Sequence, residues 1–212
     1  MTSCFTVACV QNSAIDDVGH NLADLTALVN EAVAAGAEFV CLPEYCTCLE
    51  AKDSGYIERG FDEATHPALP HFVELCRSLN IWMLIGSLAI RIGAKKVNNR
   101  SYLLDPAGNV VQTYNKIHLF DVALKRGEAY LESRTVAPGT AAKLADLPWG
   151  RLGMTVCYDL RFPQLYRLLA HAGADFISIP AAFTATTGEA HWHVLVRARA
   201  IETGCYVFAP DQ

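Results

Sequence analysis

The chain alternates short apolar runs, rich in β-branched residues, with longer segments in which apolar side chains recur at helical spacing. Residues 5–10 form the first short run and are typical of a strand. The next segment has an apolar stripe that begins at Leu22, includes Leu25 and Val29, and is closed by Gly36, a residue suited to the end of a helix. This alternation predicts an α/β fold in which helices cover a sheet.

The same two patterns continue to the end of the chain. Further strands are predicted over residues 38–42, 82–87, 101–104, 110–114, 142–147, 151–156, 175–179 and 205–209. Further helices are predicted from Pro67 onwards, over residues 161–172 and over residues 188–203. Because only five residues join strands 101–104 and 110–114, that pair predicts an antiparallel hairpin and therefore a mixed sheet. Residues 116–140 lack clear periodicity and predict a structured loop region.

The organisation of the chain favours a single domain over residues 1–212, because no linker, low-complexity segment or short-period repeat interrupts it. The last apolar strand is followed by Pro210-Asp211-Gln212. We expect that C-terminal strands are missing from this chain and that the strand over residues 205–209 lies at a sheet edge. Uncovered apolar surface at such an edge predicts that the 212 residues alone are poorly soluble or self-associate.

Composition excludes several classes of protein. With 52% hydrophobic and 18% charged residues, the chain is too apolar for a disordered protein, and no apolar run approaches the ~20 residues of a membrane span. The net charge of −5 and the absence of a Lys/Arg block predict no nucleic-acid partner. The first residues lack the basic region of a secretory signal, and the eight cysteines lack zinc-ribbon spacing. These observations predict a cytoplasmic protein with reduced thiols and no membrane contact.

Three chemically reactive side chains lie within two residues of the end of a predicted strand: Glu44, Lys116 and Cys157. Ligands of α/β proteins bind beyond the carboxyl ends of strands, so we expect these residues to share one rim of the fold. Cys157 also precedes a predicted helix, whose unpaired N-terminal amides favour a thiolate. Taken singly, each residue has an ordinary explanation, because Glu and Lys are common in solvated loops and Cys is common in cores.

Four longer segments connect these residues to a known family. The segments LPEY, YNKIHLF, GRLGMTVCYDLRFP and AHWHVLVRARAIE resemble, in this order, motifs of the carbon–nitrogen hydrolase, or nitrilase, superfamily. The separations also match, with 72 residues from Glu44 to Lys116 and 41 from Lys116 to Cys157. The resemblance covers residues 5–212 and points to the branch that contains deaminated glutathione amidase and omega-amidase.

The resemblance implies a four-layer αββα sandwich with mixed sheets and a homodimer as the usual unit. It also implies a Glu-Lys-Cys triad of Glu44, Lys116 and Cys157. In that triad Cys157 forms a thioester, Glu44 moves protons, and Lys116 holds the oxyanion together with the backbone N–H of Tyr158. The segment YLES matches a second glutamate of the family at Glu132, which orients Lys116 or the substrate nitrogen. The ordinary alternative for Glu132 is a salt bridge within a loop.

Other polar residues near the triad have two interpretations each. Without the family resemblance, His118 would be the base of a Cys-His pair, because it lies two residues beyond Lys116 in an extended segment. With the resemblance, His118 is a packing or hydrogen-bonding residue. Asp159 and Arg161 are expected to pair or to cap the turn near Cys157, or Arg161 binds a substrate carboxylate. A solvated or dimer-facing helix surface is expected for three later residues: Arg197, Arg199 and Glu202.

The motifs of metal and nucleotide sites are missing from the sequence. It has no HExxH, no Cys/His set with zinc spacing and no phosphate-binding glycine motif, so we predict no metal and no cofactor. The predicted function is hydrolysis of a C–N bond in a small carboxylated amide, such as an omega-amide or deaminated glutathione. A nitrilase or an N-carbamoyl hydrolase is the alternative, because the triad does not distinguish these substrates. A non-catalytic binding or interaction protein on the same fold is the alternative from another class.

Overall fold

Five strands form the first sheet, and their order across the sheet follows their order in the chain. The computed structural model describes residues 4–50, 54–58, 60–123 and 129–212. The strands of this sheet are β1 (Val7–Cys9), β2 (Phe39–Cys41), β3 (Trp82–Arg91), β4 (Val97–Leu104) and β5 (Val110–Asn115). β1, β2 and β3 are parallel, whereas β3, β4 and β5 alternate in direction. The predicted hairpin and the predicted mixed sheet are therefore confirmed.

A short ribbon precedes the second sheet, in the region where the sequence predicts only a loop. The ribbon is the antiparallel pair of β6 (Asp121–Ala123) and β7 (Ala129–Leu131). The second sheet has the order β11-β10-β9-β8, with the bounds β8 (Lys143–Leu147), β9 (Gly150–Met154), β10 (Phe176–Ser178) and β11 (Tyr206–Phe208). β8 is antiparallel to β9, and the other pairs are parallel. β11 therefore lies at a sheet edge, as expected, while the solubility of the chain stays a prediction.

Helices cover the outer face of each sheet. They are α1 (Val18–Ala34), α2 (Gly55–Glu58), α3 (Ala68–Leu79), α4 (Pro163–His171) and α5 (Ala185–Thr203). Leu25 of α1 and Phe72 of α3 share a hydrophobic cluster with Met83 of β3. Leu169 of α4 and Ile177 of β10 belong to a second cluster, against which α5 packs. In the described ranges, no helix has the length and apolarity that crossing a membrane requires.

Large apolar side chains fill the space between the two sheets. Phe39 of β2 meets Phe208 of β11 edge to face, with ring centroids 5.9 Å apart, and Phe176 of β10 stacks on Phe208. Alternate residues of β3 serve both sides of the first sheet: Met83 faces the helices and Leu84 faces the second sheet. A strand buried on both faces has to be apolar throughout. The result is the four-layer αββα sandwich that the sequence resemblance implies.

The helix predicted over residues 161–172 is in fact two helices. A 3₁₀-helix occupies Cys157–Arg161, and α4 begins at Pro163. Between them Phe162 has φ −112° and ψ 86°, because a residue that precedes proline is held away from the helical conformation. The short 3₁₀-helix is thereby separated from α4 and forms a turn of its own at the end of the second sheet's central strand.

Candidate functional site

The Glu44 loop (residues 42–47) begins where β2 ends. Glu44 is the third residue beyond β2, and its side chain is only 4% exposed. Gly86 of β3 makes the close path of this loop possible, because a Cβ atom at that position would lie 1.9 Å from the carbonyl oxygen of Leu42. The loop therefore crosses β3 in direct backbone contact and directs a carboxylate into the interior.

Hydrogen bonds from distant parts of the chain hold this loop. Tyr45 has a left-handed backbone (φ 50°), and its N–H donates to Ser87 Oγ at 2.9 Å, next to an irregularity in the pairing of β3 with β4. Side-chain amides donate to three carbonyls of the loop: Asn12 to Cys46 O (3.0 Å), Asn21 to Thr47 O (2.9 Å) and Gln212 to Glu44 O (2.5 Å). Three separate segments thus fix the backbone around Glu44.

The Cys157 turn (Cys157–Arg161) follows β9 in the same way. Cys157 is the third residue beyond β9, is 7% exposed, and has a left-handed backbone (φ 47°). Its N–H donates to Pro180 O at 2.9 Å, which ties the turn to the segment after β10. A non-glycine residue at positive φ is uncommon, and such strain concentrates at functional sites.

Lys116 supplies the positive charge of the site. It follows β5, and its backbone is bonded on both sides, to Asn99 O through its N–H and to the N–H of Gly139 through its carbonyl. The ammonium group is buried, with 2% of the side chain exposed, and lies 2.9 Å from Glu44 Oε1 and 2.9 Å from Glu132 Oε2. Glu132 therefore meets Lys116 in the interior, not in an exposed loop salt bridge.

Neutral donors complete the coordination of both carboxylates. Glu44 Oε2 accepts the backbone N–H of Ala182 at 3.0 Å, and Glu132 Oε2 accepts that of Phe120 at 2.6 Å. The side-chain amide of Asn99 donates to Glu44 Oε1 at 2.8 Å and to Glu132 Oε1 at 3.4 Å. The two glutamates thus share one ammonium and one amide.

The surroundings set the charge states of Lys116 and Cys157. Burial by itself lowers the pKa of Lys116, but the carboxylates of Glu132 and Glu44 outweigh it and raise that pKa well above its usual range. Burial and the neighbouring Glu44 raise the pKa of the Cys157 thiol well above its usual range, against the smaller opposing effect of Lys116. These effects favour the thiol over the thiolate that the sequence favours, and the neighbouring Glu44 is placed to take the thiol proton.

The reactive residues open into one cavity of about 380 Å³. Its lining includes Glu44, Lys116, Glu132 and Cys157, together with the aromatic residues Tyr45, Tyr56, Phe120 and Tyr130. A second cavity of about 500 Å³ shares Tyr45, Glu50 and Tyr56 as lining residues but is lined by none of the four reactive groups. The smaller cavity is thus the one in which a substrate reaches the thiol.

Asp159 anchors the Cys157 turn from within. It is fully buried and accepts four hydrogen bonds, from Val156 N (2.9 Å), Tyr114 Oη (2.7 Å), His118 N (3.0 Å) and the His118 ring (2.7 Å). The ring of His118 also stacks on Phe162, with centroids 3.7 Å apart. His118 therefore has the packing and hydrogen-bonding position that the resemblance implies, and Asp159 caps the turn.

The structure removes one of the two interpretations of Arg161 and corrects the expected position of Arg199. Arg161 does not pair with Asp159 in the described structure; it lies 3.3 Å from the ring of His191 and against the faces of Tyr158 and Phe183. Arg199 was expected on a solvated or dimer-facing surface, which is wrong, because it is 5% exposed. Its guanidinium donates twice to the carbonyl of Leu160, at 3.0 and 2.8 Å, and so holds the Cys157 turn from α5.

Sequence reasoning missed the polar residues that support the site from other elements. Asn99 and Ser87 are both 0% exposed. Ser87 belongs to a predicted apolar strand, so a polar residue at a position that the strand pattern assigns to the core was the available signal. Asn99 lies outside the strand predicted over residues 101–104, so no such signal existed for it. Within the described ranges, no three His, Cys, Asp or Glu side chains are grouped as for a metal ion.

Comparison with known proteins gives a consistent result. The profile of the carbon–nitrogen hydrolase family matches residues 6–212. Deaminated glutathione amidase of Yersinia enterocolitica is 39% identical over 209 residues, which cover 97% of this chain and 72% of the relative. The crystal structure of the Caenorhabditis elegans NitFhit protein superposes with a TM-score of 0.89 at 35% identity, covering 97% of this chain and 50% of that one. Nit3 of Saccharomyces cerevisiae, described as a member of branch 10 of the nitrilase superfamily, has a TM-score of 0.84 at 27% identity, covering 97% and 74%.

Proposed function

This chain belongs to the carbon–nitrogen hydrolase family, and we propose that it hydrolyses the C–N bond of a small carboxylated amide through a thioester on Cys157. The observation that supports this proposal is the shared cavity in which Glu44, Lys116 and Cys157 meet. A buried thiol bonded to a buried carboxylate is the arrangement that nucleophilic catalysis requires. The name of the relatives, deaminated glutathione amidase, supports an amide with a carboxylated tail.

Acylation begins with transfer of the thiol proton from Cys157 to Glu44 as sulfur attacks the carbonyl carbon. Because burial holds the thiol protonated at rest, a base in direct contact is needed for this step. The tetrahedral intermediate collapses when Glu44 returns the proton to the departing nitrogen and the C–N bond breaks. Water then gives a proton to Glu44 and attacks the thioester, which releases the acid and restores the thiol.

The oxyanion of both tetrahedral intermediates is stabilised by Lys116 and by the backbone N–H of Tyr158. Lys116 is suited to this role because its neighbours raise its pKa and keep it an ammonium. Tyr158 is the second residue of the 3₁₀-helix, where an N–H has no acceptor within the helix. Glu132 orients Lys116 by the 2.9 Å contact to its ammonium group.

Arg161 is the proposed partner of the substrate carboxylate. Its guanidinium lies 5.7 Å from the ring centroids of Tyr158 and Phe183, and both rings line a small depression beside Cys157. Contact with these two rings places the guanidinium next to residues that line the depression, and its N–H donors can bind a carboxylate. This contact supports an acidic amide over a neutral one.

The testing experiment measures ammonia or amine release from a panel of amides, nitriles and N-carbamoyl compounds. We expect turnover of carboxylated amides, no turnover by Cys157→Ala, and a loss of about 10² or more in Glu44→Gln. The thiol of Cys48 lines the other cavity. Cys48→Ala is therefore the matched control and should retain activity. Mass spectrometry of briefly exposed enzyme should find the acyl group on Cys157.

Other outcomes of the panel correspond to the alternative functions. Release of ammonia from nitriles or from N-carbamoyl compounds in preference to amides would identify a nitrilase or an N-carbamoyl hydrolase. A folded protein that turns over none of the three classes would indicate a non-catalytic binding protein. Turnover that survives in Cys157→Ala would overturn the mechanism.

We also propose that the chain is one domain that acts as a homodimer in the cytoplasm, without a cofactor. The outer helix layer exposes apolar side chains, at 57% for Leu168, 68% for Val194 and 78% for Ile201, which supports a partner on that side. Cys41, Cys46, Cys76 and Cys157 are buried as free thiols, which supports a reducing compartment. Light scattering of the purified chain tests the oligomeric state.

A further inference from the structure

We propose that Asn99 is a positioning residue, whose amide holds the Glu44 carboxylate directed at Cys157 during the nucleophilic step. This inference rests on the proposed function, in which Glu44 is the base. Asn99 lies on β4, is 0% exposed, and donates to Glu44 at 2.8 Å and to Glu132 at 3.4 Å. It contacts both carboxylates of the site.

The charges of the site show why such a donor is needed. Two buried carboxylates, Glu44 and Glu132, share the single ammonium of Lys116, so the three groups have a net charge of −1 when all are ionised. Like charges in one buried site disfavour ionisation of each other. A second cation would relieve the repulsion but would also weaken Glu44 as a base. A primary amide offers two N–H donors without a charge, and therefore favours both carboxylates while leaving Glu44 basic.

The contacts also fix the orientation of the carboxylate. Glu44 Oε1 accepts from Lys116 and from Asn99, whereas Oε2 accepts from the backbone of Ala182. With Oε1 occupied by two donors and Oε2 by one, a lone pair of Oε2 remains for the thiol of Cys157. Loss of the amide releases one of the constraints on the rotation of the carboxylate.

The other end of the same amide argues against a purely structural role. Asn99 Oδ1 is buried and has no hydrogen-bond partner among the described residues. A buried polar atom without a partner costs stability, so an apolar residue would suit this strand position better if packing were its only requirement. The value of asparagine at this position therefore lies in its N–H donors.

Two substitutions separate the donor role from packing. Asn99→Leu removes the donors and keeps the number and branching of the side-chain heavy atoms, whereas Asn99→Ala removes the donors and leaves space that water can occupy. A donor role predicts that kcat falls by about 10- to 100-fold in Asn99→Leu, less in Asn99→Ala, with KM changed much less than kcat. A packing role predicts the reverse order, because the smaller residue leaves the larger cavity.

Asn98→Leu is the matched control. Asn98 is also buried, at 8% exposure, but its neighbouring place on β4 directs it to the opposite face of the sheet. It should retain the wild-type kcat, and thermal unfolding of all variants reports whether they fold. If Asn99→Leu does not fold, the comparison of Asn99→Ala with Asn98→Ala replaces it.

Alkylation of Cys157 by iodoacetamide gives a readout that does not depend on substrate binding. The reaction requires removal of the thiol proton, and the Glu44 carboxylate that Asn99 contacts is the group placed to take it. At one fixed pH, the alkylation rate should fall in Asn99→Leu and stay at the wild-type value in Asn98→Leu. Equal rates in the two variants would contradict the role of the Asn99 amide.

The outcomes are distinguishable from failure of the proposed function. An inactive Glu44→Gln beside a fully active Asn99→Leu with an unchanged rate of Cys157 alkylation would overturn the role of Asn99 and leave the proposed function intact. An active Glu44→Gln would overturn the proposed function itself. A greater loss in Asn99→Ala than in Asn99→Leu would identify a packing residue and also overturn the inference.

Discussion

The Glu44 loop and the Cys157 turn occupy equivalent places in the two sheets, but different kinds of contact hold them. Each reactive residue is the third beyond a parallel strand, β2 or β9. Each segment contains a residue with left-handed backbone, Tyr45 at φ 50° and Cys157 at φ 47°. The two segments thus follow similar backbone paths. They differ in the side chains and backbone groups that contact them.

Apart from the ion pair of Glu44 with Lys116, the contacts that hold the Glu44 loop are neutral and mostly involve backbone groups. Ser87 accepts from Tyr45, the amide of Gln212 donates to the carbonyl of Glu44, and Gly86 permits backbone contact with β3. Around the Cys157 turn the contacts are made by two buried charged side chains, Asp159 and Arg199. A buried charge that loses its partners costs more than a neutral group does, so the Cys157 turn depends on fewer and stronger contacts.

Asp159→Ala should have the largest effect on stability. It removes the acceptor of four hydrogen bonds and leaves buried donors without partners, so we expect a loss of about 3–5 kcal/mol in the free energy of unfolding. Urea denaturation measures the loss. Asp146→Ala, at a residue whose side chain is 84% exposed, is the control and should unfold like the wild type. An Asp159→Ala protein of unchanged stability would contradict the account of the turn.

Gly86→Ala should be the most damaging change on the other side of the comparison. The new Cβ atom would lie 1.9 Å from Leu42 O and 2.3 Å from Pro43 O, so the Glu44 loop must shift. If the loop shifts by about 1 Å, we expect kcat to fall about 100-fold. The free energy of unfolding should fall by about 1–3 kcal/mol. Gly188→Ala in α5, where the nearest atom is 3.7 Å away, should leave both quantities unchanged or raise the stability.

Arg199→Met should have an intermediate effect. It removes both donors to the carbonyl of Leu160 and the contact of the guanidinium with the ring of Tyr166. We expect a loss of about 1–3 kcal/mol in the free energy of unfolding, measured by urea denaturation. The exposed Arg197, two positions earlier in α5, provides the control Arg197→Met. Equal stability of the two variants would show that the buried arginine does not support the turn.

Ser87→Ala should have the smallest effect of the four. It removes one neutral acceptor from the N–H of Tyr45, so a loss of about 1 kcal/mol is expected. Ser78, whose hydroxyl donates to a helix carbonyl, provides the comparison Ser78→Ala. Calorimetry of both variants measures the difference in their stability. A loss as large as that of Arg199→Met would remove the distinction between neutral and charged support.

The sequence predicted the residues at strand ends better than the residues that support them. Glu44, Lys116 and Cys157 follow short apolar runs, and the positions of those runs along the chain are local information. The alternation of helices and strands also agrees with the structure outside the ribbon of β6 and β7, because each amphipathic segment needs an apolar partner. The four-layer arrangement was implied by the family resemblance.

The supporting contacts join residues that are far apart in the chain. Asn99 lies 55 positions from Glu44, Gln212 lies 168 positions from it, and Arg199 lies 39 positions from Leu160. Such contacts depend on strand register and on how the layers pack, which a single sequence contains only implicitly. The surface position expected for Arg199 was wrong for this reason, since helical periodicity does not show what a polar side chain meets.

The division of the site between two sheets has a consequence for the order of events in folding. Glu44 and Lys116 come from the first sheet and Cys157 from the second, and 113 positions separate the carboxylate from the thiol. Closing such long loops is entropically costly, so contacts of this kind form late. Activity therefore requires that the two sheets have packed against each other and brought the three residues together. In a refolding time course, turnover should return only after the far-ultraviolet circular dichroism signal of the separate helices and strands.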